Sequence, residues 1–160
     1  MTSDIVDLAT RVGRALEQRK LMLCTAESCT GGGVAHAITE IAGSSGWFDR
    51  GFVTYSNAAK TALLDVPSAL IDQVGAVSAE VAAAMAQGAL ANSDAQFALS
   101  TTGIAGPTGA VPGKPVCTVW FAWSDRTRTH TELQVFPGDR QAVREQAVRH
   151  ALDGVLRFLG

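Results

Sequence analysis

Three short stretches concentrate the side chains able to do chemistry: Thr25-Ala26-Glu27-Ser28-Cys29-Thr30-Gly31-Gly32-Gly33, Tyr55-Ser56-Asn57-Ala58-Ala59-Lys60, and Thr101-Thr102-Gly103-Ile104-Ala105-Gly106-Pro107-Thr108-Gly109. In the first, a hydroxyl and a thiol stand side by side after an apolar run and before three consecutive glycines. A lone serine ahead of a helix ordinarily serves as its N-cap. The glycines argue for more than a cap, because they cost helix stability unless something must approach the backbone closely. Ser28 and Cys29 are therefore rival nucleophiles, although most cysteines are buried and inert. A helix start here presents unpaired N–H groups and a partial positive charge, which suits an anion or a developing oxyanion.

Lys60 is one of only three lysines, with Lys20 and Lys114. It falls one helical turn after the end of a second apolar run. Most lysines are solvated; one held beside a strand end is a candidate base, since burial lowers its pKa from about 10.4. In the third stretch glycines recur every three residues, without the G-x-G-x-x-G spacing of a dinucleotide fingerprint. Gly109–Lys114 lacks the spacing of a P-loop, and Pro115 stands where Ser or Thr is needed. A loop rich in hydroxyls and glycine at a strand end can cradle a phosphate or simply connect two strands. His36, His130 and His150 have no metal-ligand spacing and read as surface residues, and G-x-S-x-G is missing. Asp49-Arg50 and Arg140-x-x-x-Arg144 read as solvated helix-end charges, with Arg140 the better anion ligand.

The elements that must position these groups follow from periodicity. Ile5, Leu8, Ala9, Val12 and Leu16 share one helical face over residues 4–19, with Ser3 or Asp4 as cap. Leu21–Ala26 is a nearly continuous apolar run, the pattern of a buried strand. Val34–Ala42 is predicted helical and stops at Gly43. Phe52–Tyr55 is predicted as a second strand, and Asn57 caps a short helix over Ala58–Leu64. Pro67 starts another over Ser68–Val74. Ser78 caps an Ala-rich helix over Ala79–Ala91. Gln96–Thr101, Val116–Trp123 and His130–Phe136 are predicted strands, the first two joined by an irregular loop over Gly103–Pro115. Asp139 caps a final helix to Phe158. Trp120 and Trp123, three apart in a strand, face opposite sides. The short Ser124–Thr129 loop implies a hairpin, so one late strand runs antiparallel in an α/β sandwich with a mixed sheet.

Composition sets outer limits. With 160 residues, 47% apolar and 18% charged, the chain is expected to form one domain (1–160) without disulfides or a structural metal. Cys24, Cys29 and Cys117 contain no C-x-x-C pair. A net charge of −2 argues against nucleic acid. No apolar run reaches the roughly 18 residues of a membrane span, and no signal peptide is visible, so a cytoplasmic protein without a membrane partner is expected.

Taken together, the three stretches, with Gly43-Ser44-Ser45, Gly51-Phe52-Val53-Thr54 and Gly75-Ala76-Val77-Ser78, resemble the CinA C-terminal domain family, whose stand-alone members are nicotinamide-nucleotide amidases. The resemblance runs from about Asp7 to Arg149. It implies a three-layer α/β/α fold with a five-stranded mixed sheet, the fourth strand antiparallel. It also implies deamidation of nicotinamide mononucleotide to nicotinate mononucleotide and ammonia, with no cofactor and no metal. In many relatives a nucleotide-pyrophosphatase-like domain precedes this one, for which 160 residues leave no room. Carried over by motif, Ser28 is the nucleophile, Lys60 its base, and Tyr55 a residue that orients the pair or assists proton transfer. Thr30, Gly31, Gly32 and the loop Thr102, Gly103, Ile104, Ala105, Gly106 hold substrate and oxyanion, and Arg140 adds a substrate contact. Thr108–Lys114 inherits nothing. A homodimer is expected, with a small nucleotide as the partner molecule. A non-catalytic, competence-associated nucleotide-binding module and a cysteine amidase acting through Cys29 are the competing readings.

Overall fold

The computed structural model describes residues 2–159. Its elements are α1 (Ser3–Gln18), β1 (Leu23–Glu27), α2 (Gly33–Thr39), β2 (Phe48–Val53), α3 (Asn57–Leu64), α4 (Ser68–Val74), α5 (Ala79–Ala91), β3 (Phe97–Gly103), β4 (Thr118–Asp125), β5 (Thr129–Val135) and α6 (Arg140–Phe158). The five strands form one sheet in the order β2-β1-β3-β4-β5. β1 pairs in parallel with both β2 and β3, whereas β4 runs antiparallel to both β3 and β5. β4 is thus the one reversed strand, as expected.

β1 is buried along its whole length, because neighbours flank it and helices cover both faces. That is why its apolar residues do not alternate with exposed polar ones: even Thr25 and Glu27 are buried. On one face, Val12, Leu16, Leu23, Val34, Leu99, Phe121 and Leu152 pack beneath α1, α2 and α6. On the other, Cys24, Ala26, Leu64, Val81, Met85, Ala98 and Ala122 pack beneath α3, α4 and α5. Helix α5 is therefore apolar on most sides: it touches the sheet and also carries α3 and α4 on its flank. Ser78 caps it by accepting the Val81 N–H, and Asp139 caps α6 by accepting the Ala142 N–H. Trp123 is buried against α6, donating from its indole to the Ala151 carbonyl at 2.9 Å, while Trp120 packs on the opposite face.

The boundaries depart from the periodicity where it was weakest. β2 begins at Phe48 and ends at Val53, so Asp49 and Arg50 lie in an edge strand, not at a helix end. Their charges and Gly51 obscure the strand pattern, and charges on an edge also discourage further strand pairing. Tyr55 accordingly falls beyond the strand. Ser56, not Asn57, caps α3, accepting the Ala59 N–H at 3.0 Å. α2 ends at Thr39, short of Ala42, and a 3₁₀ turn at Ser44–Gly46 leads into β2. β3 extends to Gly103, and β4 starts two residues late, at Thr118. His130 and His150 are half-buried, not exposed; His150 pairs with Glu132 at 2.9 Å and leans on Phe121.

The crossing of α3 on α5 fixes where Lys60 stands. At Gly88 the α5 backbone lies so close to α3 that a Cβ there would sit 1.9 Å from the Leu64 carbonyl oxygen. A carbonyl at a helix end cannot swing aside as a side chain can. Gly88→Ala is therefore expected to destabilise the protein by about 2–3 kcal/mol or more, read as a lowered urea midpoint. Activity should fall with it, because α3 must shift. A variant with an unchanged midpoint would show that the two helices are not tightly docked.

Candidate active site

The parallel strands β1 and β2 end together, Glu27 in register with Val53, while on the other side Glu27 faces Thr101 and β3 runs on two residues to Gly103. A crevice beyond the carboxyl ends of such strands is where open α/β sheets place their ligands. Ser28 stands there, one residue past β1. Its N–H donates to the Thr101 carbonyl at 3.0 Å, while the Thr54 N–H donates to the Glu27 carbonyl at 2.8 Å. The strand pairing thus runs on just far enough to hold Ser28 rigidly between its neighbours.

Lys60 lies one turn inside α3. Helical side chains lean toward the helix N-terminus, which carries this one back over the end of β2. Its Nζ donates to Ser28 Oγ at 3.1 Å and to the Thr54 carbonyl at 3.1 Å. The residue is only 1% exposed, and neither bonded partner is a carboxylate. Burial consequently pulls the ammonium pKa below its ordinary 10.5.

The neighbouring thiol is held in the opposite state. Burial pushes Cys29 up to about 12, so it stays a protonated thiol at neutral pH and is a poor nucleophile. Cys29→Ala is expected to keep at least about one third of wild-type kcat/KM, since the thiol there contributes packing alone. An inactive Cys29→Ala beside an active Ser28→Ala would exchange the two roles.

Glu27 is a site residue that motif reading passed over. Fully buried, its carboxylate accepts the Val34 and Ala35 N–H groups at 2.9 and 3.0 Å and the Thr30 hydroxyl. The chain thereby fills the positive end of α2 with its own anion. The helix start is not open to a substrate anion, contrary to expectation. Thr30 also meets Thr101 Oγ1 at 2.8 Å, so its side chain points into the fold. Gly31 and Gly32, at φ +59° and +96°, make the left-handed turn that brings α2 back over Glu27.

A cavity of about 250 Å³ opens beside Ser28. It is lined by Ser28, Cys29, Tyr55, Gly103–Gly106 and Arg140, and also by Thr108 and Gly109, the end of the third stretch, to which the resemblance assigned no role. Of the expected loop, Gly103, Ile104, Ala105 and Gly106 face the cavity. Thr102 does not: it belongs to β3, and its hydroxyl donates to the Ala76 carbonyl at 2.9 Å. Tyr55 is 60% exposed. Its hydroxyl accepts from Arg140 Nη2 at 2.9 Å, and Arg140 Nη1 donates to the Gly106 carbonyl at 2.9 Å. Tyr55 and Arg140 thus form a strap at the rim of the cavity that Ser28 also lines. Among the described residues, the hydrogen bonds of Lys60 go to Ser28 and Thr54, not to Tyr55. Thr54, ahead of Tyr55, supplies the lysine's second partner instead. Arg144 is not a solvated charge either; it binds the carbonyls of Cys29 and Thr30. A larger cleft of about 640 Å³ lies across the turn that follows Ser28, lined by Thr30, Gly33, His36, Gln141, Arg144 and neighbours. It contains none of Ser28, Lys60 or Tyr55.

The sequence profile of the CinA C-terminal domain matches residues 5–159. The chain belongs to the CinA C-terminal domain family. Among its relatives are the nicotinamide-nucleotide amidohydrolases PncC of Pseudomonas putida, 56% identical across 96% of both chains, and of Escherichia coli K12, 52% identical across 94% of this chain and 92% of that one. The crystal structure of the competence/damage inducible protein CihA from Agrobacterium tumefaciens superimposes with a TM-score of 0.96 at 42% identity, covering 100% of this chain and 98% of that one. The family assignment and the α/β sandwich drawn from sequence are thus both upheld. Among the described residues of this CinA domain, no helix is long and apolar enough to cross a membrane.

Proposed function

We propose that this chain hydrolyses the carboxamide of nicotinamide mononucleotide, giving nicotinate mononucleotide and ammonia, with Ser28 as nucleophile and Lys60 as its base. The observation that carries the reading is the buried 3.1 Å contact between Lys60 Nζ and Ser28 Oγ. A serine hydroxyl needs an adjacent base to attack an amide, and a lysine can serve only as the neutral amine. The lowered pKa favours that amine. An N–H bonded to the Thr54 carbonyl holds Nζ in place. On deprotonation its bond to Ser28 therefore reverses, the lone pair accepting from the hydroxyl to which the ammonium donates.

In this mechanism Oγ attacks the amide carbon as its proton passes to Nζ, and the C=O π pair moves onto oxygen. Collapse of the tetrahedral intermediate breaks the C–N bond, and the Lys60 ammonium returns the proton to the departing ammonia. Water then attacks the acyl carbon, giving one proton to Lys60. Collapse breaks the C–Oγ bond as the Lys60 ammonium returns that proton to Oγ. The acid product loses its remaining proton to the ammonia or to solvent and leaves as the carboxylate. Arg140, with N–H groups still unspent beyond Tyr55 and Gly106, is suited to the substrate phosphate at the cavity rim.

The test is release of ammonia from nicotinamide mononucleotide by the purified protein, with and without chelator. Turnover is expected to survive the chelator. Free nicotinamide should be a poorer substrate by about 100-fold or more in kcat/KM, because binding energy from the phosphate orients the amide. Loss of turnover on chelation, or equal efficiency on free nicotinamide, would contradict the proposal. A non-catalytic module would bind the nucleotide and release no ammonia.

A further inference from the structure

Arg144, near the start of α6, grips the nucleophile turn from the side opposite the cavity. Its Nε donates to the Cys29 carbonyl at 3.1 Å, and its Nη2 donates to the Thr30 carbonyl at 3.4 Å. These are the second and third carbonyls of the segment that begins with Ser28. A trans peptide is planar, and its N–H points opposite to its C=O. Turning the Cys29 carbonyl toward Arg144 therefore turns the N–H of Thr30, in the same peptide, away from Arg144. That is the side on which Ser28 and Cys29 line the cavity, while Arg144 and Thr30 line the cleft behind. The next N–H, of Gly31, is already given to the Ser28 carbonyl at 2.9 Å. Among the described residues, no protein acceptor takes the Thr30 N–H.

We infer that Arg144 is a positioning residue for catalysis, aiming the Thr30 N–H at the oxyanion formed when Ser28 attacks. The inference rests on the Ser28–Lys60 reading. A guanidinium is suited to the task because its planar fork reaches two successive carbonyls, which a lysine ammonium cannot match in geometry. Its charge also polarises the Cys29–Thr30 peptide, making the N–H a stronger donor. Gly31 points the same way: a Cβ there would come within 2.9 Å of Arg144 Nη2. The glycine leaves room for the guanidinium and also supplies the left-handed turn.

The experiment compares Arg144→Met, Arg144→Lys and Gly31→Ala with wild type on nicotinamide mononucleotide, following kcat, KM and the pH profile. Losing one oxyanion donor lowers kcat by about 100-fold or more, so that is the expected loss for Arg144→Met. KM should stay within about threefold, and the rising pH limb should keep its midpoint, because Lys60 is untouched. Arg144→Lys should recover only part of the rate, Gly31→Ala should reproduce the defect with the arginine present, and methylguanidinium should partly restore Arg144→Met. Arg144→Met running within about threefold of wild-type kcat would overturn the assignment. So would a loss in which KM and the pH midpoint move together, or one that methylguanidinium leaves unchanged. Ser28→Ala is assayed in parallel. If it stays active, the Ser28 reading fails and the Arg144 inference falls with it. If it is inactive while Arg144→Met is not, only the role of Arg144 is refuted.

Discussion

Lys60→Arg is expected to lose about 10³-fold in kcat/KM or more, although it preserves the positive charge. The reason is the protonation state. Burial disfavours the charged form of Lys60, so the amine becomes available as pH rises toward a pKa below 10.5. A guanidinium stays charged at any working pH and cannot take the Ser28 proton. For the wild type, kcat/KM should climb about tenfold per pH unit below that pKa and level off above it. In Lys60→Ala this limb should vanish from the residual rate. The sign for stability follows from the same shift. Between the folded pKa and 10.5 the unfolded chain binds more protons than the native one, so stability rises with pH through that window. Below it the burial penalty is complete. Lys60→Met should therefore be more stable than wild type at neutral pH while inactive, the trade expected of a strained catalytic group. Denaturant midpoints at two pH values and a pH–rate profile check both halves. A Lys60→Arg enzyme near wild-type rates would reduce the lysine to a source of charge.

Ser28→Ala should cost still more, about 10⁴-fold or greater in kcat, because nucleophile and base act as a unit. The substitution is a mild one structurally. Ser28 keeps its place through backbone bonding to Thr101 and Gly31, and neither bond needs the hydroxyl. Nucleotide binding should survive, which separates loss of chemistry from loss of the pocket. A double variant, Ser28→Ala with Lys60→Met, should be no slower than Ser28→Ala alone, since a base without its nucleophile has nothing to deprotonate. Activity within tenfold of wild type in Ser28→Ala would end the serine mechanism and return attention to Cys29 or to direct attack by water.

Much of this molecule was legible one element at a time. The Ser78 cap and the Ala79–Ala91 helix match the structure residue for residue, because a cap and a helical run act over four residues and need no distant partner. The nearly continuous apolar Leu21–Ala26 run marked the interior strand β1, since a strand covered on both faces has no exposed positions to alternate with. The edge strand β2 was misplaced for the converse reason: with a neighbour on one side only, it tolerates Asp49, Arg50 and Gly51. Ser28 and Lys60 were candidates from sequence because each sits just past a strand end, where a folded sheet leaves side chains unpaired.

Sequence by itself determined the elements, the strand ends that carry chemistry and the residue types standing there, all properties of short range. The tertiary structure alone decided which of those residues meet. Lys60 reaches Ser28 across 32 positions only because β1 and β2 are in parallel register and α3 packs at Gly88. Glu27 lies one residue before Ser28, and only the path of the glycine turn folds α2 back onto its carboxylate. Tyr55 turns to Arg140, 85 positions away, and Arg144 reaches Cys29 across 115, because α6 is laid along the sheet by Val143, Ala147 and Val148. Such pairings depend on the relative placement of whole elements, set by burial summed over many side chains, and no local spacing encodes that sum.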